Sequence, residues 1–235
     1  FVATCNAISY CKAEPIFIDV DKNTLGMSPL SLETWLEKNA FIDSSNACRL
    51  KKNKRPIKAC VPMHTFGHPV EIDAIKLVCE KWRLTLIEDA AESLGSYYKG
   101  KHTGTFGQLG AISFNGNKII TTGGGGALLC NKQLYTTGKH LSTTAKQPDN
   151  INFYHDKIGF NYRLPNLNAA LGCAQLESIE KFIIQKRDLA KTYKKYFQNS
   201  ELSFFNEPEN CRSNYWLNTL VCNDKNQRDN FLSYM

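Results

Sequence analysis

The stretch SFNGNKIITTGGGGALLCN (residues 113–131) sets four glycines in a row, Gly123–Gly126, shortly after Lys118, in a chain with only 15 glycines among 235 residues. It reads as a strand over 111–114, a tight turn carrying Lys118, a short apolar pair, the glycine run, and a second strand over 127–130. Glycine reaches left-handed conformations and admits close backbone approach, so the run serves either a ligand passing near the chain or a flexible hairpin. It does not form a nucleotide cradle. No G-x-x-x-x-G-K-[ST] is present, and no helix opens after the glycines as a dinucleotide fingerprint requires. Lys118 is left as the residue with chemistry to offer, against the alternative of a solvated turn lysine.

Outward from this hairpin, short apolar runs alternate with helical patterns. PIFIDV (15–20) predicts a buried strand, and SPLSLETWLEKN (28–39) a helix capped by Ser28. IKACVPMH (57–64) predicts a strand, and EIDAIKLVCEKW (71–82) a helix that aligns Ile72, Ile75, Val78 and Cys79 on one face. LTLIED (84–89) reads as a strand ending in acid. Residues 165–197 carry a long helical pattern with a lysine-rich second half, and NYWLNTLVCN (214–223) predicts a strand of a different unit. Alternating β and α elements imply an α/β domain around a mostly parallel sheet flanked by helices. The polar break at 198–213 divides the chain into a large α/β domain, 1–198, and the beginning of a smaller C-terminal α+β domain, 199–235.

Composition bounds the function classes. The chain is 42% hydrophobic and 22% charged, as globular proteins are. A net charge of +7, from 29 basic and 22 acidic residues, is spread thinly apart from Lys51, Lys52, Lys54 and Arg55. A nucleic-acid partner would call for a basic stripe interleaved with aromatics, so none is expected. No apolar run approaches the ~18 residues of a membrane span. Nine cysteines stand singly, without metal-type spacing or a disulfide framework, which points to a reducing, cytoplasmic compartment. The chain opens at Phe1 inside an apolar phrase and closes in what reads as an amphipathic helix, so both ends are expected to continue in a longer protein.

Ligands of open α/β sheets sit at the carboxyl ends of the strands. His64, Asp89, Ser113, Asn115 and Lys118 fall there. Asp89, followed by the small Ala90 and Ala91, is either a carboxylate withdrawn from water that needs a cationic partner, or a cap for the next turn. A lysine that does covalent chemistry must part with a proton ordinarily held to a pKa of about 10.4, which burial or imine formation achieves. Schiff-base chemistry with pyridoxal phosphate needs, besides the lysine, a carboxylate for the pyridine nitrogen, donors for the phosphate, an aromatic face and a group at the ring oxygen. This sequence supplies all of them near strand ends. His64 stays open between a place beside the cofactor and an ordinary core or surface position.

FVATCNAISYCKAEPIFIDVD (1–21), IEDAAESLGS (87–96), GAISFNGNKIITTGGGGALL (110–129) and IGFNYRLPNLNAALGCAQLE (158–177), in this order and spacing, resemble the pyridoxal-phosphate-dependent nucleotide-sugar aminotransferases of the DegT/DnrJ type. The resemblance implies fold-type I, the aspartate aminotransferase-like fold. The wording FNGNKIITTGGGG and IDVDKNTLGMSP is most similar to the branch serving bacterial nonulosonic (legionaminic-type) acid synthesis.

Carried over residue by residue, the resemblance implies that Lys118 holds the cofactor and shuttles the proton. Asp89 pairs with the pyridinium nitrogen, Ser113 binds the phosphate, and Phe1 stacks on the ring. Asn161 is offered to the phosphate by the neighbouring subunit, which implies a homodimer with shared sites. Glu92 stands where the family commonly has glutamine or histidine near the ring hydroxyl, and an anionic side chain beside a phenolate repels it unless protonated. The implied reaction moves an amino group from glutamate to a nucleotide-linked 4-keto-6-deoxy sugar for bacterial surface polysaccharide, lipopolysaccharide included. A sugar dehydratase of the same family would carry histidine in place of Lys118. A non-catalytic member that binds sugar nucleotide or a partner subunit is the remaining alternative. Residues that read the sugar are expected in loops such as 142–156, and the family's phosphate loop upstream of Phe1.

Overall fold

The strand that ends in acid lies inside the main sheet. In the computed structural model, which describes residues 1–148 and 151–235, four strands line up in the order Ala59–Cys60, Thr85–Asp89, Leu109–Ser113, Gly126–Cys130. The first three are mutually parallel and the fourth is antiparallel to the third. Parallel neighbours need a crossover, and the helix Ile72–Lys81 supplies it between the first two; the antiparallel pair closes as a hairpin. The carboxyl ends of the parallel strands therefore come to one edge, and there Ser113 pairs with Gly126 across the mouth of the hairpin.

The helices form where local chemistry dictates. Ser28 Oγ accepts the Ser31 N–H at 3.2 Å and caps the helix Pro29–Asn39, whose first residue has no N–H to satisfy. Ile72, Ile75, Val78 and Cys79 are buried along one face of the next helix. They pack with Leu32, Leu36, Leu84 and Leu86 into one core. Each such aliphatic side chain contributes about 1.5–3 kcal/mol when fully buried.

Several expectations meet a different structure. Residues 15–20 form no strand; the segment makes only an isolated bridge from Val20 to Met27, and Phe17 is exposed. A strand exists through its ladder, and none of the described strands runs alongside this segment. The run 57–64 shrinks to Ala59–Cys60 plus a parallel bridge from Met63 to Asp89. The long helical pattern divides at Ser178 into Asn166–Glu177 and Ile179–Phe197. Of 214–223, only Leu220–Val221 is a strand, paired with Ser203–Phe204. Tyr215 has φ 47°, a left-handed conformation that a strand excludes, and Ser213–Trp216 is buried as a loop.

Residues beyond 198 are fastened back onto earlier elements. Cys211–Arg212 pairs with Tyr97–Tyr98, and the Arg187 guanidinium grips Glu207 with two bonds of 2.6 and 2.8 Å. Among the described residues, no helix is long and apolar enough to cross a membrane.

Candidate active site

Successive side chains of a strand point to opposite faces, so the neighbours Glu88 and Asp89 part company. Glu88 is fully buried. Its Oε1 accepts the N–H groups of Phe106 and Gly107 at 2.6 and 2.7 Å, and its Oε2 accepts that of Gly104 at 2.7 Å. His64 Nε2 stands 3.1 Å from the same Oε2, while His64 Nδ1 accepts the Val70 N–H, which leaves the ring proton on Nε2, facing Glu88. Burial alone would raise the Glu88 carboxyl; the His64 hydrogen bond and the amides of Gly107 and Gly104 outweigh it and hold the group below the usual glutamate value. His64 is thus a core histidine that organises a buried carboxylate.

Asp89 remains half-buried on the other face. Its Oδ2 accepts the Thr4 hydroxyl at 2.6 Å and its Oδ1 the Ala91 N–H at 3.1 Å. Thr4 belongs to the helix Val2–Tyr10, which follows Phe1. Phe1 is 80% exposed at the head of that helix.

Lys118 lies in the loop that closes the hairpin. Its N–H donates to Asn115 O at 3.0 Å, and the loop is pinched by Phe114 N–H to Gly125 O and Thr122 N–H to Phe114 O, both 3.0 Å. The glycines have separate tasks. Gly123 and Gly125 take φ of +79° and +86°, and a Cβ on Gly126 would sit 2.3 Å from Ile112 O. Gly124 faces open space. The run is therefore a left-handed turn followed by a tight strand approach. The Lys118 side chain is 11% exposed, with Nζ 3.8 Å from Glu92 Oε1 and 3.9 Å from the centre of the Trp216 ring.

Glu92 joins these groups. Its Oε2 accepts the Phe66 N–H at 2.7 Å. Burial raises its carboxyl above the usual value; the Phe66 hydrogen bond and the Lys118 charge oppose this, and the Asp89 charge adds to it. Glu92 thus feels both Lys118 and Asp89, and all three share one neighbourhood. Phe66 itself holds φ 57°. Such strain in a non-glycine residue costs about 1–3 kcal/mol and persists where the surroundings fix it. Here Glu92 takes the Phe66 N–H, Leu217 N–H donates to the Phe66 carbonyl, and Ser96 and Ser213 hydroxyls donate to Gly67 O.

Of the residues singled out from sequence, Lys118, Asp89 and Glu92 are brought together. Ser113 is half-buried at the end of its strand, its Oγ accepting the Asn115 N–H at 3.2 Å. Asn161 is exposed and forms an isolated bridge with Thr143. The loop 142–156 is described except at 149 and 150, which lie outside the described residues. Thr4, Phe66 and Trp216 were not anticipated. A cavity of about 720 Å³ elsewhere, lined by Lys76, Leu86, Phe106 and Leu128 among others, holds none of these groups.

A primary amine shielded from water, a carboxylate at a parallel strand end with a hydroxyl on it and a glycine-cleared backbone are part of what pyridoxal phosphate requires, and these residues fit that part. Fold and donor set define the class: the architecture is that of the fold-type I pyridoxal-phosphate-dependent transferases. The whole chain, residues 1–235, matches the DegT/DnrJ/EryC1/StrS aminotransferase family, and it belongs to that family, whose enzymes are pyridoxal-phosphate-dependent aminotransferases.

Among relatives, EpsN of Bacillus subtilis (strain 168) is 40% identical over 94% of this chain and 54% of its own length. GDP-perosamine synthase of Escherichia coli O157:H7 is 36% identical over 100% of this chain and 60% of its own. In solved structures, a DegT DnrJ EryC1 StrS aminotransferase from Brucella abortus superposes with a TM-score of 0.85 at 25% identity, covering 100% of this chain and 60% of that one. Helicobacter pylori PseC, an aminotransferase involved in the biosynthesis of pseudoaminic acid, gives 0.82 at 26% identity, covering 95% of this chain and 56% of that one. The chain therefore spans little more than half the length of these relatives.

Proposed function

We propose that this chain carries the reactive centre of an aminotransferase that moves an amino group from glutamate to a nucleotide-linked 4-keto-6-deoxy sugar. The proposed setting is nonulosonic acid synthesis of the legionaminic type for bacterial surface polysaccharide, lipopolysaccharide included, in the cytoplasm. The reading is carried by one observation: the shielded Lys118 amine stands against Glu92, which also feels Asp89. The relatives named for GDP-perosamine and pseudoaminic acid synthesis support a sugar-nucleotide acceptor.

Pyridoxal phosphate, when bound, supplies an electron sink for the carbon that gains or loses the amine. Lys118 would anchor it covalently and, as a free amine, carry a proton on Nζ to and from the reacting carbon. Proton transfer of this kind contributes about 10²- to 10⁴-fold. Asp89 would face the ring nitrogen and keep it protonated; opposite charges about 4 Å apart at an effective dielectric near 20 attract by ~4 kcal/mol, partly offset by desolvation. Ser113 would donate to the phosphate, Phe1 cover the ring, and Glu92 stand near its hydroxyl. Asn161 would serve the phosphate of a second copy, making the enzyme a homodimer with shared sites. Residues 1–198 would form the cofactor-binding domain and 199–235 belong to a smaller one.

The test is Lys118→Ala in the full-length protein. Parent protein should be yellow, and borohydride should fix one cofactor to the peptide that contains Lys118, by mass spectrometry. The variant should lose both the linkage and amino transfer to a panel of nucleotide-linked keto sugars. A colourless parent that binds sugar nucleotide would instead favour the non-catalytic reading.

A further inference from the structure

We propose that Trp216 is a positioning residue for Lys118, holding its amine against the ring face and fixing the turn that carries it. The proposal rests on Lys118 being the cofactor-bearing lysine. The indole makes two contacts with this turn. Its face lies 3.9 Å from Lys118 Nζ, and its Nε1–H donates to the carbonyl of the preceding residue, Asn117, at 2.7 Å. Trp216 is itself immobilised: its N–H donates to Asn214 Oδ1 at 2.8 Å and its carbonyl accepts from Lys186 Nζ at 2.9 Å. Asn214 is fully buried, and its Nδ2 donates to Glu92 O and Leu94 O, both at 2.9 Å. One side chain therefore ties the segment bearing Glu92 to the segment bearing the indole, and the amine lies between them.

The contacts also suit an amine that must leave. Glu92 at 3.8 Å is an ionic neighbour beyond hydrogen-bond range, and the π face attracts charge without fixing any N–H direction. The lysine is confined in position but can turn toward a ligand. Without the ring the amine samples more positions, and displacement by about 1 Å at a reacting centre can cost 10²-fold in rate.

The experiment compares Trp216→Leu and Trp216→Phe in the full-length protein. In the cofactor-free form, acetylation of Lys118 is followed by peptide mass spectrometry, with the exposed Lys191 as internal reference. Trp216→Leu should raise the Lys118 rate by about 3-fold or more, the size expected on losing one cation–π contact. Trp216→Phe, which keeps a ring face and drops the indole N–H, should stay near the parent rate. In the loaded enzyme, Trp216→Leu should lower kcat by about 10-fold or more with KM for the sugar nearly unchanged, and Trp216→Phe should recover part of the loss. Parent-like labelling and kcat in the leucine variant would overturn the proposal, as would a phenylalanine variant no better than leucine. If the leucine variant fails to fold, the phenylalanine variant decides: parent-like labelling supports the contact and fast labelling sinks it. The labelling needs no cofactor, so it remains decisive for Trp216 even if Lys118→Ala still traps the cofactor and the lysine reading fails.

Discussion

Glu88 and Asp89 are neighbours in the chain but lie on opposite sides of the sheet, and their partners divide the labour between fold and site. Glu88 is enclosed by His64 and the amides of Gly104, Phe106 and Gly107. Among the described residues the Asp89 carboxylate accepts hydrogen bonds from Thr4 and the Ala91 amide, and it keeps part of its surface exposed.

Substituting the two should separate stability from activity. Both Glu88 oxygens face hydrogen-bond donors, so the amide of Glu88→Gln must turn an NH₂ toward an N–H whichever way it flips. A loss of about 3 kcal/mol or more is expected, the range for breaking a buried charged network. Asp89→Asn should fold with a stability near the parent's and lose amino transfer by about 10²-fold or more, as forfeiting several kcal/mol of charge stabilisation implies. Urea unfolding and steady-state kinetics on both variants check the division. Equal effects on both quantities would contradict it.

The glycine run makes a sharper test than its composition suggests. Gly126→Ala pushes a Cβ to 2.3 Å from the Ile112 carbonyl, where only backbone movement relieves it. Gly124→Ala meets nothing within 4 Å. The first should cost about 2 kcal/mol and the second remain within about 0.5 kcal/mol of the parent by thermal or urea unfolding.

What could be read from sequence was local. Ser28 as a cap and the Ile72, Ile75, Val78, Cys79 face depend on neighbours within a turn or two, and both stand as expected. Lys118 and Asp89 stand out in the sequence because strand ends collect functional groups, and the structure brings both near Glu92. Thr4 was invisible because its hydroxyl meets Asp89 across 85 positions, and Trp216 because its indole reaches Asn117 across 99. Two adjacent acids guarantee that one turns inward; which one does depends on where the 104–107 loop aims its amides. The run 214–223 reads as a strand because its apolar residues pack on distant partners; the Tyr215 backbone turns its first part into a loop and leaves Leu220–Val221 as the strand.

His68 carries a pH dependence of its own. It is fully buried between Phe205 and Tyr215, and neither ring nitrogen has a hydrogen-bond partner among the described residues. Burial lowers its pKa from 6.5 to about 4, with Glu207 partly opposing. A depressed folded value means that the unfolded chain takes up the proton first. The associated stability is therefore present above pH 6.5 and lost as pH falls through 4, on the order of 3 kcal/mol in full for a shift of this size. His68→Leu should flatten this acid limb and be neutral or stabilising at pH 7, because an unpaired buried polar group is replaced by an apolar one. Unfolding free energies across that window check the slope, and an unchanged limb would assign it to other groups.

Glu92 titrates in the opposite sense. Its folded pKa stands above the usual glutamate value of 4.5, chiefly through burial, with Asp89 adding to the rise and the Phe66 amide and Lys118 opposing it. A raised folded value means that its contribution to stability is present below pH 4.5 and is lost as pH rises through the folded value. Glu92→Gln does not titrate, and its amide oxygen can still accept the Phe66 N–H. The variant should therefore gain on the parent in Tm between acid and neutral pH. It should also keep the lysine linkage, since Lys118 retains its contact with the Trp216 ring. A constant Tm difference across that range would mean that the Phe66 amide and the Lys118 charge fully balance burial at this carboxylate, and a difference that shrinks as pH rises would mean that they outweigh it.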